Sequence, residues 1–94
     1  MINDKILREL SRKLGLEWEE LATNLDFSDA DILNFKRDNP QHAVKQIYTM
    51  LIQWRQDQPA SVNQVDVLCK ALEEVRRKDL AIMLRVMILI NCNF

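Results

Sequence analysis

Residues 14–28 read Leu14-Gly15-Leu16-Glu17-Trp18-Glu19-Glu20-Leu21-Ala22-Thr23-Asn24-Leu25-Asp26-Phe27-Ser28. Trp18, Leu21, Ala22 and Leu25 fall at i, i+3, i+4 and i+7, the spacing that lines one face of a helix. A helix is therefore predicted from about Glu17 to Leu25, with acidic residues on its other face. Gly15 is placed to end the helix before it. Ser28, with Asp31 three residues later, gives a capping-box-like start to the next helix, ahead of Ile32, Leu33 and Phe35. Parts of three short helices thus meet in this stretch, joined by tight turns.

The same pattern extends outward in both directions. Leu7, Leu10 and Leu14 define a first helix, with Asn3 or Asp4 as its N-cap. Asn39-Pro40 breaks the third helix, and proline suits the first position of a fourth. That fourth helix carries His42 in its first turn. Val44, Ile47, Leu51 and Trp54 form its core stripe, and Tyr48, Met50 and Ile52 widen the stripe enough to suggest a central helix. Pro59 closes it. Ser61 with Gln64 reads as a second capping box for a fifth helix bearing Val65, Leu68, Leu72 and Val75. Arg76, Arg77 and Lys78 form a polar connection to a sixth helix, Asp79 to about Ile90, with Leu80, Met83, Leu84 and Met87 inward. Val86 to Ile90 is continuous hydrophobe, suited to a second buried face, an exposed docking patch or a dimer contact. Six short amphipathic helices must pack on one another to be stable in water, and an all-α, antiparallel six-helix bundle is the economical arrangement.

Composition agrees with this reading. Ninety-four residues fit one domain spanning 1–94. A single glycine and two prolines leave too little turn chemistry for a β sandwich or barrel. The longest apolar run, Leu80 to Ile90, is interrupted by Arg85 and is too short to span a membrane. The segment MINDKILREL has charges where a signal peptide needs its apolar core, so the cytoplasm is the expected compartment. Cys69 and Cys92, with one histidine, His42, complete no four-ligand zinc site and read as reduced structural thiols. Four methionines, Met1, Met50, Met83 and Met87, read as gap fillers. There is no glycine-rich phosphate loop, metal-ligand set or nucleophile with its base, so neither enzymatic activity, cofactor nor small-molecule substrate is expected. An isoelectric point near 5.8 and acidic second and third helices oppose nucleic-acid binding, the alternative class for short packed helices. Trp18 and Trp54 sit inside regular apolar stripes and are expected in the core.

The order of these features resembles the death domain. Leu14-Gly15-Leu16-Glu17-Trp18-Glu19-Glu20-Leu21-Ala22 followed by Leu25-Asp26-Phe27-Ser28 is similar to that family's passage from its first helix to its second. Asp38-Asn39-Pro40 resembles the break before helix four, Leu51 with Trp54 its Leu-x-x-Trp, and Leu68, Leu72 and Arg77-Lys78-Asp79-Leu80-Ala81 its last two helices. The likeness covers about residues 5–85. Leu-Asp-Phe-Ser and Arg-Lys-Asp look most like the death domains of ankyrins, and Trp54-Arg55-Gln56 like those of caspase-recruiting adaptors. The placement of Trp18 and Trp54 argues against a caspase-recruitment domain. The resemblance implies a Greek-key arrangement and a non-enzymatic module that associates with other death domains, in apoptotic or inflammatory assemblies or within a cytoskeletal scaffold.

The charges suit such association. Glu17, Glu19, Glu20, Asp26, Asp29 and Asp31 give residues 17–31 six negative charges and no Lys or Arg. Lys5, Arg8, Arg12 and Lys13 face a single opposing charge, Glu9, in residues 5–13. A near-neutral total, 13 basic against 14 acidic residues, thus hides strong segregation. Opposite patches on one small domain favour contact between unlike faces of two molecules, including self-association, and such heterologous contacts can propagate. By the family's pattern, Glu19, Asp29 and Asp31 on helices two and three would meet Arg8, Arg12 and Lys45 on helices one and four. Arg77 and Lys78 facing Arg55 to Asp57 would form a second contact. Taken singly, a charge opposite an apolar stripe is ordinarily just the solvated side of its helix.

Overall fold

The computed structural model describes the backbone of residues 2–92 and the side chains of residues 2–90. Met1 and the Cys92 thiol therefore lie outside the described residues. Six helices follow one another, α1 (Asp4–Lys13), α2 (Trp18–Asn24), α3 (Asp29–Asp38), α4 (Ala43–Asp57), α5 (Gln64–Glu74) and α6 (Lys78–Cys92). No strand occurs among the described residues.

Local chemistry explains most of the boundaries. Asn3 caps α1, its Oδ1 accepting from the Ile6 N–H at 2.9 Å. Ser28 and Asp31 form the full reciprocal box at the start of α3, with Asp31 N–H donating to Ser28 Oγ at 3.1 Å and Ser28 N–H to Asp31 Oδ2 at 2.9 Å. The helices α2 and α5 both end in Schellman motifs. In one, Phe27 N–H donates to the Ala22 carbonyl and Asp26 N–H to that of Thr23. In the other, Arg77 N–H donates to Leu72 and Arg76 N–H to Glu73. The left-handed position of each motif is filled without glycine, by Asp26 (φ 71°) and Arg76 (φ 63°).

Three expected boundaries are corrected. Pro40 does not open α4. Gln41 is left-handed at φ 65°, α4 begins at Ala43, and His42 is its N-cap residue without a side-chain capping bond. Gln46 Nε2 reaches back to the Asn39 carbonyl at 2.9 Å, and Asn39 Nδ2 donates to Thr49 Oγ1 at 3.2 Å, so the intervening turn is tied to the helix it precedes. Asn63, not Ser61, caps α5 by accepting from the Asp66 N–H, because residues 59–62 are already closed by a turn from Val62 N–H to the Pro59 carbonyl. Gly15 does not cap α1 in a left-handed conformation. That helix ends at Leu14 in extended backbone, and Gly15 instead leaves room for the Glu17 carboxylate, whose Oε2 would lie 3.1 Å from an added Cβ.

The principal helix contacts close a ring: α1 against α4, α4 against α3, α3 against α2, α2 against α5, α5 against α6, and α6 back against α1. No helix is central, contrary to the expectation for α4. The stripe of α4 is wide because it faces α1 on one side and α3 on the other. The ring encloses one core of buried side chains, including Leu7, Leu10, Trp18, Leu21, Met50, Leu51, Trp54, Leu68, Leu72 and Leu84. Phe27 and Phe35 meet edge to face, their centroids 5.2 Å apart. The Ser11 hydroxyl, fully buried, donates to the Leu7 carbonyl at 2.7 Å. Cys69 is buried, with Sγ 3.6 Å from the Ala81 carbonyl, and burial pushes its thiol pKa upward. Leu33 and Val44, expected inside, are instead 48% and 44% exposed.

Candidate protein interface

The ring separates two charged edges. On the α1/α4 edge, Arg8 and Arg12 stand one turn apart on α1. The Arg8 guanidinium lies over the Tyr48 ring of α4, 5.4 Å from its centroid. Lys45, three residues before Tyr48, shares that side of α4. The exposed Val44 adds an apolar surface beside these cations. Arg12 also pairs with Glu9 at 2.8 Å, which neutralises part of its charge within the helix.

On the α2/α3 edge, the run of acidic residues is less uniform than the sequence suggests. Lys36 of α3 meets Glu19 of α2 at 2.9 Å. Glu17 is bound by Arg77, and Asp31 by its capping bond. Asp29, in the first turn of α3, stays exposed with no ion-pair partner among the described residues. Leu33, one turn beyond Asp29, gives this edge its own exposed aliphatic side chain. The two edges therefore match in kind, each a charged rim beside a small apolar centre, as in many protein interfaces.

Two residues expected at a second contact are engaged inside the chain. Arg55 donates to the Ile2 carbonyl at 3.1 Å and to Asp4 Oδ1 at 2.5 Å, which fastens the start of α1 to the end of α4. Arg77 donates to the Lys13 carbonyl at 3.1 Å and bonds both Glu17 and Asp79. It joins the end of α1, the start of α2 and the start of α6. Burial works against the Glu17 charge, yet the Gly15 N–H, its own backbone N–H and the Arg77 guanidinium more than offset it and hold the carboxyl below its usual range. Hydrogen bonding to Asp79 raises Arg77 above an ordinary arginine, and the same bond lowers Asp79. Asp57 and Lys78 remain exposed, although Asp57 accepts from Gln53 Nε2 at 3.0 Å.

Residues 4–88 match the sequence model of the death domain. The chain belongs to the death-domain family. It is also 35% identical over 77 residues to human Ankyrin-1, an alignment that covers 80% of this chain and 4% of that protein. The chain thus spans a small fraction of the length of this relative. The death domain is a protein–protein interaction fold. Among the described residues no helix is long and apolar enough to cross a membrane, and no group of His, Cys, Asp and Glu could hold a metal ion.

Sequence reasoning missed two features of this death domain. Leu16, in the α1–α2 turn, is 92% exposed, the most exposed large hydrophobic side chain described. A groove of about 450 Å³ opens between the α2–α3 turn, α3 and the end of α4. Phe27, Phe35 and Trp54 line its floor, and Asp26, Asp31, Asp38 and Asp57 stand around it. Leu16 could have been singled out because it falls outside the apolar stripes of both neighbouring helices. The groove could not, because its four carboxylates come from three segments, the α2–α3 turn, α3 and the end of α4.

Proposed function

We propose that the 94 residues form one non-enzymatic death domain that associates with other death domains, or with copies of itself, through unlike faces. Its α2/α3 edge, with Asp29 and Glu19 around Leu33, would meet the α1/α4 edge of a neighbour, with Arg8, Arg12 and Lys45 around Tyr48 and Val44. The observation that supports this reading is the gathering of Arg8, Tyr48 and Lys45 on one edge while Asp29 stands unpaired on another. Contacts of this size are individually weak, in the micromolar range, and gain strength from repetition. The likeness to Ankyrin-1 favours a place in a cytoskeletal scaffold over apoptotic or inflammatory assembly, with the cytoplasm as its compartment and without nucleic acid, membrane, cofactor or small-molecule substrate.

Light scattering after size exclusion, across salt concentrations, tests the reading. Association with itself or with an offered death domain should weaken as salt screens the edges and fall sharply in Asp29→Lys. A protein that stays monomeric and ignores every death domain offered at low salt would refute it.

A further inference from the structure

The ring buries the inner side of α6 and leaves its outer side apolar as well. Leu80, Ala81 and Leu84 lie in the core, while Ile82, Val86, Leu89 and Ile90 are exposed at 55%, 47%, 65% and 53%. A helix at the surface of a domain ordinarily turns charged and polar side chains outward. From Leu80 to Cys92 the only charged residue is Arg85, and its guanidinium meets Asp66 of α5 at 3.2 Å. Asp79, in the first turn of α6, is held by Arg77. Beyond that turn the outer face offers a partner only aliphatic surface.

The spacing of the stripe indicates what fits it. Ile82, Val86 and Ile90 recur every four residues and form one ridge, with Leu89 beside it. The ridge is symmetrical about Val86. Two copies laid antiparallel about a two-fold axis at Val86 bring the two Val86 side chains together, set Ile82 near Ile90 of the other copy, and set Leu89 near the other Met83, so each apolar side chain meets another. A charged partner would find nothing on the stripe to pair with. The exposed parts of the four side chains amount to roughly 400 Å² per copy, a patch of the size that marks interaction sites. Two such faces together bury about 800 Å² before their flanks are counted, which suits a weak pair.

We propose that two copies of the chain pair through the outer face of α6, antiparallel and centred on Val86. This contact goes beyond the association of unlike charged edges. Like surfaces meet, so it closes on two molecules and does not propagate. Held by apolar contact, it also outlasts the salt that screens the edges.

Sedimentation equilibrium at up to about 1 mM protein in about 0.5 M salt tests the pairing. Wild type and Asp29→Lys should both form dimers there. Val86→Glu sets two carboxylates together at the axis and should weaken the dimer at least about tenfold. Val86 is half exposed, so that variant should keep the parent's helical content by circular dichroism. Cross-linking reads the register in a Cys92→Ser background, in which the remaining native thiol, Cys69, is buried. Under mild oxidation Val86→Cys should link to itself, and Ile82→Cys should link to Ile90→Cys faster than either links to its own kind. A wild type that stays monomeric at the highest concentration, a Val86→Glu protein that pairs like its parent, or cross-linking without this preference would overturn the proposal. So would a monomer that instead sediments with phosphatidylcholine vesicles, which would give the stripe to a lipid surface. The charged-edge reading is judged separately, by the loss of low-salt assembly in Asp29→Lys.

Discussion

Individual side chains divide into those that hold the core and those that fix the turns. Trp54 is 2% exposed and packs where α4 faces α3. Trp54→Ala should cost about 3–5 kcal/mol in urea unfolding, a large share of the roughly 5–15 kcal/mol of a typical domain. Glu17 acts differently, since its carboxyl is held below the usual range by the Gly15 and Glu17 backbone N–H groups and by Arg77, against the opposing effect of burial. A lowered folded-state value means that the unfolded chain takes up the proton first as pH falls. The stabilisation is thus complete above about pH 4.3, the ordinary glutamate value, and disappears as pH drops through the folded value. Glu17→Gln should be less stable than wild type at pH 7, and the difference should shrink as pH falls below the ordinary glutamate value when urea midpoints are compared. Charges Arg55 and Arg77 were legible as basic residues near the ends of elements. Their partners, 53 and 60 residues away in sequence, were not.

At the scale of the helix, caps and turns set the boundaries, and caps and contacts must be told apart. Asp31 serves both sides of the Ser28 box, so Asp31→Lys should lose about 1 kcal/mol of stability whatever it does to association. Asp29 has no ion-pair partner among the described residues, so Asp29→Lys should weaken association while lowering stability by only roughly the few tenths of a kcal/mol that a cation costs in a helix's first turn. Comparing the thermal melts of the two variants separates the roles, and an equal loss in Asp29→Lys would show that it too supports the fold. The α5–α6 turn gives a second measurement. Arg76 holds a left-handed conformation that costs a non-glycine residue roughly 1–2 kcal/mol. Arg76→Gly should therefore raise stability by about 0.5–1 kcal/mol, the remainder being lost to glycine's greater freedom when unfolded. Helical periodicity located all six elements because the apolar side chains repeat locally. It misplaced the starts of α4 and α5 because the turns at Gln41 and Pro59–Val62 are closed by bonds that the apolar pattern does not reveal.

For the whole molecule, the closed ring matters more than any one helix, since it sets which charged surfaces become neighbours. Arg8 and Tyr48, forty residues apart, meet because α1 packs on α4; Glu19 and Lys36 meet because α2 packs on α3. Two single-edge variants, Arg8→Glu and Asp29→Lys, should each weaken assembly, while mixing them should restore association through the one intact edge on each partner. Light scattering at low salt reads this directly, and raising salt should dissolve the complex. The outward face of α6, with Ile82, Val86, Leu89 and Ile90 exposed, is an apolar stripe that the ring leaves uncovered. The second-buried-face reading of Val86 to Ile90 therefore does not describe these side chains.

The sequence by itself determined the all-helical class, the number of helices, most of the core and the family, because each of these follows from local spacing and order along the chain. Only the tertiary structure decided which charges are free. Ion pairing depends on distances of a few ångströms between side chains from different helices, and no pattern along the chain encodes those distances. That is why the unbroken acidic window contains a paired Glu17, a paired Glu19 and a capping Asp31, and why the aromatic groove became visible only once the ring had closed.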